Sequence, residues 1–127
     1  MMTWQRKPYN ILWVDDDPFF LNWITPQITA TCFIIQTFED AQTALAYLER
    51  VQPDIVLTNL VMPHMSGLEM IAAIRRQDPH IPIVVVSNRF QDGERQAAFK
   101  AGANSFLSKA GINGEAVMTS IRPYLEQ

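Results

Sequence analysis

The sequence predicts an α/β domain built on an open, five-stranded parallel sheet with helices on both faces. Three observations carry that expectation. Short apolar runs, of the kind a strand buried on both faces requires, alternate with helix-period patterns from end to end. N-cap residues, prolines and glycines fall between the two patterns, where helices start and stop. The 127 residues are 48% apolar and 18% charged, enough for one domain with its own core. No linker or repeat interrupts them, so a single domain is expected over residues 1–127, with its core from about 9 to 125.

Ile11-Leu12-Trp13-Val14 reads as the first strand. Asp17 then caps a helix with Pro18 at its first position, where the missing N–H has no intrahelical partner to lose. That helix runs from Pro18 towards Thr31 and carries Phe19, Phe20, Trp23 and Ile24. Pro26 should kink it or end it early, because an interior proline costs about 3 kcal/mol. Phe33 to Phe38 is the second strand. Asp40 caps a helix from Ala41 to about Val51, before Pro53, and Asp54 to Asn59 is the third strand. Ser66-Gly67-Leu68-Glu69 is a capping box opening a helix through Ile71 and Ile74 to about Gln77. Ile83 to Ser87 follows as the fourth strand. A helix from about Gln91 to Ala101 stops at Gly102, Ser105 to Ser108 is the fifth strand, and Gly114 to Leu125 is the last helix.

Composition excludes several function classes. The net charge of −3, without a clustered basic face, argues against nucleic acid as a direct partner. Arg6-Lys7 and Arg75-Arg76 read as solvated pairs. No apolar run approaches the length of a bilayer span, and Met1 to Lys7 does not open a signal peptide. The expectation is a cytoplasmic protein with no membrane contact. Cys32 stands alone, which rules out an internal disulfide and suits a small buried hydrophobe. His64 and His80 have no nucleophile paired to them and read as solvated loop side chains, so no enzyme is expected. A nucleotide binder would need a glycine-rich turn after the first strand, and Asp15-Asp16-Asp17-Pro18 stands there instead.

In an open parallel sheet the working site lies beyond the carboxyl ends of the strands, where strand order reverses. That rule selects Asp15, Asp16, Asp17, Asn59, Ser87 and Lys109. Adjacent carboxylates make a hard oxygen site of the kind Mg²⁺ prefers. A hydroxyl and an ammonium converging on the same point suit the oxygens of a phosphoryl group. Capping of the first helix accounts for Asp17 but not for the pairing of Asp15 with Asp16.

Four pieces then carry a family resemblance. They are Val14-Asp15-Asp16-Asp17-Pro18, Met62-Pro63-His64-Met65-Ser66-Gly67-Leu68-Glu69, Ser87, and Ala101-Gly102-Ala103-Asn104-Ser105-Phe106-Leu107-Ser108-Lys109. In this order and spacing, from about Tyr9 to Tyr124, the chain resembles the receiver domains of two-component response regulators. The resemblance implies a CheY-like (flavodoxin-like) doubly wound fold with five helices and strand order 2-1-3-4-5. It also implies roles: Asp15 and Asp16 for Mg²⁺, Ser87 and Lys109 for phosphate contacts, and Phe106 as the aromatic that reports the state. The phosphoacceptor aspartate of the family falls on Asn59, four residues before Pro63 and eight before Gly67.

Asn59 departs from the pattern in a way that matters chemically. The family's acceptor attacks phosphorus with an anionic oxygen, and a carboxamide has none to offer. Deamidation back to aspartate is slow before Leu60. Two unit charges 4 Å apart interact by about 4 kcal/mol at an effective dielectric near 20, so a divalent ion loses roughly twice that when one carboxylate is removed. Mg²⁺ is therefore expected to bind weakly or not at all, and no cofactor is required. The contacts for any metal would be Asp15, Asp16, the Asn59 side chain and the carbonyl of Val61. Ala110 stands where the family commonly has proline after its lysine, which predicts a trans peptide and a displaced loop before Gly111. Asn88-Arg89-Phe90 is bulky where a small residue usually admits the phosphoryl group, and Arg89 is a candidate counter-ion for the acidic pair.

These departures lead to an atypical receiver, not phosphorylated at Asn59, that acts as an interaction and regulatory module. Its expected partner is a protein: a histidine kinase, an output protein, another receiver or a second copy of itself. The expected contact surface is about Gln91 to Leu125. Phe90, just before it, and Phe99, within it, are candidate exposed contacts, although Phe99 suits the core better; Trp4 and Trp23 fit either role. Phe106 is expected to keep one rotamer. The alternative is a conventional Mg²⁺-dependent phosphoacceptor in which Asn59 is a natural or engineered replacement of aspartate.

Overall fold

The computed structural model describes residues 8–28, 32–88 and 91–126. Its elements run β1 Tyr9–Val14, α1 Pro18–Ile24, β2 Phe33–Phe38, α2 Ala41–Leu48, β3 Ile55–Thr58, α3 Gly67–Gln77, β4 Ile83–Ser87, α4 Asp92–Ala101, β5 Ser105–Ser108 and α5 Gly114–Leu125. All strand pairs are parallel, and the sheet order is β2-β1-β3-β4-β5, as expected for a CheY-like fold.

The apolar runs of the central strands are continuous because each face of the sheet buries alternate residues. Ile11, Trp13, Ile55, Leu57, Val84 and Val86 face α1 and α5, packing with Leu21, Ile24, Val117 and Ile121. Leu12, Val14, Val56, Ile83 and Val85 face α2, α3 and α4, packing with Ala44, Met70, Ile71, Ile74 and Ala98. Each such side chain taken fully out of water contributes about 1.5–3 kcal/mol. Cys32 is buried, as its size suggested.

Local chemistry sets the helix boundaries. The Asp17 side chain accepts the Phe20 N–H at 3.1 Å to start α1, and Pro26 ends the α-helical geometry at Ile24 by forcing a 3-10 turn over Thr25–Gln27. The Gln27 side chain then accepts the N–H of Gly114 at 3.0 Å, tying this turn to the start of α5. The capping box forms in both directions, Ser66 Oγ accepting from Glu69 N–H at 3.1 Å and Glu69 Oε1 from Ser66 N–H at 3.0 Å. Gly102 closes α4 with φ of 123°, a backbone conformation that side chains disfavour.

Three expectations are corrected. Helix α2 ends at Leu48 rather than near Val51, because the Tyr47 carbonyl accepts both Arg50 and Val51 N–H at 3.0 Å and closes a turn before Pro53 acts. Phe99 is not in the core but 42% exposed, since α4 turns its alanine side, with Ala98, onto the sheet. Arg75 is not simply solvated. Its guanidinium donates to the carbonyls of Gly102 (2.9 Å) and Asp78 (3.1 Å) and to Asn104 Oδ1 (3.0 Å), stapling α3 to the turn before β5. Trp23 is 53% exposed and its neighbour on α1, Phe19, 84%. Arg6, Lys7, Trp4, Thr31, Arg89 and Phe90 lie outside the described residues.

Candidate functional site

Strand order reverses between β1 and β3, and the chain leaves both strands into the same crevice. Asp15 N–H donates to the Phe38 carbonyl on one side (2.9 Å), and Asn59 N–H donates to the Val14 carbonyl on the other (2.9 Å). These bonds hold the residues following β1 and β3 side by side.

Asp15 is fully buried. One carboxylate oxygen accepts the Asp17 N–H at 2.9 Å, and the other pairs with Lys109 Nζ at 2.6 Å. Burial pushes the Asp15 carboxyl above its ordinary value, while Lys109 and the Asp17 N–H pull it down. Lys109 is placed by its own backbone N–H, which donates to the Ser87 carbonyl at 3.0 Å across the β4–β5 edge. Its ammonium also lies 4.3 Å from the ring centroid of Phe20. The lysine is thus held between a carboxylate and an aromatic face, and its side chain is only 8% exposed.

Asp16 is exposed. Its Oδ1 accepts from Asn59 Nδ2 at 3.1 Å, and the same nitrogen donates to the Val61 carbonyl at 3.0 Å. A backbone carbonyl such as that of Val61 only accepts, so the NH₂ end of the amide is the end that can satisfy it. Thr58 Oγ1 donates to the Asn59 carbonyl at 2.9 Å, a second anchor on the same residue. Gly67 N–H donates to the Leu60 carbonyl at 2.7 Å, and a side chain at Gly67 would collide with the Asn59 carbonyl. The start of α3 is therefore packed directly against the residue that ends β3.

The matching family is the response regulator receiver domain, whose model covers residues 11–122. The chain belongs to this family. The receiver is 31% identical over 122 residues to the transcriptional regulatory protein GlrR of Escherichia coli, covering 96% of this chain and 27% of that protein. It is 26% identical over 121 residues to the probable transcriptional regulatory protein TcrX of Mycobacterium tuberculosis, covering 95% of this chain and 51% of that one. The receiver thus spans between about a quarter and a half of the length of these relatives. The chemotaxis response regulator CheY4 of Vibrio cholerae shares the fold at a TM-score of 0.84, with 23% identity over 94% of this chain and 100% of that one.

Within the receiver, Asp15 meets Lys109, and Asp16 meets Asn59, whose side chain also meets the Val61 carbonyl. Asp17 serves as the helix cap. Ser87 is buried at the end of β4. Phe106 is half-buried on β5, with the Arg95 guanidinium carbon 5.8 Å from its ring centroid. His64 and His80 are exposed in loops. Sequence reasoning missed two participants. Phe20 was read only as part of the apolar helix pattern, and nothing local signals that Lys109 would lie over it. Thr58 had a signal: a hydroxyl residue closing an otherwise apolar strand, next to Asn59.

Proposed function

We propose that this receiver works without phosphorylation at Asn59 and acts as a protein-interaction module of two-component signalling. The observation that carries this reading is a carboxamide at the acceptor position with its nitrogen, not its oxygen, turned onto Asp16 and Val61. An amide in that arrangement has no anionic oxygen with which to attack phosphorus. The ammonium that would meet a phosphate is already engaged by Asp15 and by the ring of Phe20. Partner binding is assigned to the surface formed by α4, β5 and α5, about Gln91 to Leu125, and the exposed ring of Phe99 on α4 supports it. A histidine kinase, an output protein, another receiver or a second copy of the chain fits that role.

Beryllofluoride, a phosphoryl mimic, tests the reading when added with Mg²⁺ and followed by tryptophan fluorescence. The native chain is expected to stay silent and Asn59→Asp to respond. A clear response from the native chain overturns the reading. Silence from both would place the loss in the pocket as a whole rather than in the acceptor alone.

A further inference from the structure

We infer that the Asn59 carboxamide is a built-in substitute for the divalent cation that the receiver family implies, so that the acidic pocket is complete without metal. This rests on the reading of Asn59 as a non-acceptor and assigns the pocket's ligand state. The residues present do not fit a divalent ion in the arrangement they adopt. Asp16 Oδ1 and the Val61 carbonyl, two of the oxygens such an ion would require, are bridged by the two N–H bonds of one NH₂ group, at 3.1 and 3.0 Å. The carboxylate of Asp15 is taken up by Lys109 and the Asp17 N–H. Among the described residues no group of three or more His, Cys, Asp and Glu side chains is arranged to hold a metal.

The amide does for these oxygens what a cation does for a carboxylate cluster: it supplies positive partial charge at the point where their lone pairs converge. A metal would have to turn the amide through half a rotation to bring its oxygen forward. That breaks both hydrogen bonds and sets the amide nitrogen elsewhere in a site only 9% exposed at Asn59. The rest of the residue resists movement, because its N–H is bound to Val14, its carbonyl to Thr58 Oγ1, and the loop after it to Gly67. The β3–α3 loop is thereby held in one arrangement by a bond internal to the chain, and cellular Mg²⁺ exerts no control over it.

Metal binding and amide exchange test this separately from phosphoryl chemistry. Mn²⁺, a paramagnetic stand-in for Mg²⁺, is titrated into ¹⁵N-labelled native protein and Asn59→Asp, and broadening of the Asp16 and Val61 signals is followed. Asn59→Asp is expected to bind on the order of 100-fold more tightly than the native chain, from the added carboxylate charge and the freed oxygens. In the native spectrum the Asn59 side-chain NH₂ pair is expected to be slowed in exchange with water and unmoved by millimolar Mg²⁺. Native binding within about tenfold of the variant overturns the inference. So does an Asn59 NH₂ pair that exchanges like an exposed amide, a readout that needs no variant to fold. A native chain that binds Mn²⁺ yet ignores beryllofluoride would sink the substitute-cation inference alone. One that ignores Mn²⁺ but takes a phosphoryl group from a kinase would sink the non-acceptor reading alone.

Discussion

Asp15 and Lys109 form an ion pair that is almost wholly withdrawn from water, with side chains 0% and 8% exposed. Burying a carboxylate is unfavourable unless a partner compensates, and here the compensation comes from Lys109 and the Asp17 N–H. Because desolvation dominates, the Asp15 carboxyl is raised in the folded state relative to the unfolded chain. A raised acid binds protons more tightly when folded. Its ionisation therefore leaves stability untouched below the unfolded value of 3.8 and subtracts from it as pH rises through the folded value. Replacing Lys109 with methionine removes the main compensating charge and widens that penalty. Lys109→Met is expected to lose about 3–5 kcal/mol near neutral pH and much less at acid pH, measured as urea midpoints across the range. A loss that stays constant from acid to neutral pH would mean that the lysine contributes packing against Phe20 rather than charge. The sequence marked Asp15 and Lys109 as candidate site residues, since both follow strands. Their direct contact was not legible there, because it depends on how far β1 and β5 stand apart across the sheet.

Helices and loops follow their local chemistry closely where a cap or a proline speaks for them. Asp17, Ser66 with Glu69, and Gly102 each begin or end a helix as their residue types suggest. Where no such signal exists, as after Leu48, the end of the helix is set by a turn that competing carbonyl acceptors close, and the sequence places it three residues late. Gly67 is a different case. The sequence offers it as a capping-box position, but its glycine is required by the approach of the Asn59 carbonyl and Leu60 to the first turn of α3. Gly67→Ala is therefore expected to destabilise the domain by about 1–3 kcal/mol and to shift the β3–α3 loop. Denaturant unfolding gives the first quantity, and chemical-shift changes at Asn59 and Val61 give the second. A variant as stable as the native chain with an unmoved loop would show that the neighbouring backbone yields freely.

At the scale of the whole molecule, the sheet divides the core into two layers, and Trp13 is the largest fully buried side chain among the described residues. It packs edge-on against Phe20, at 5.9 Å between ring centroids, so the layer beneath α1 and α5 also supports the ring under Lys109. Trp13→Ala is expected to remove about 3–5 kcal/mol of stability, whereas Phe19→Ala, at an exposed position of the same region, should change it by no more than about 0.5 kcal/mol. Equal losses at the two positions, read from urea unfolding, would contradict the layer assignment. The order and type of the elements, the parallel sheet and the strand ends that bear the candidate residues were readable from the amino acids. Those features follow from burial period, caps and turn residues, which act over a few neighbours. Tertiary structure alone decided that the Asn59 nitrogen would bridge Asp16 and Val61, that Lys109 would settle between Asp15 and Phe20, and that Phe99 would face water. The Asp16–Asn59 bond joins residues 43 positions apart, and its partners are chosen by distances that exist only once both layers have packed against the sheet.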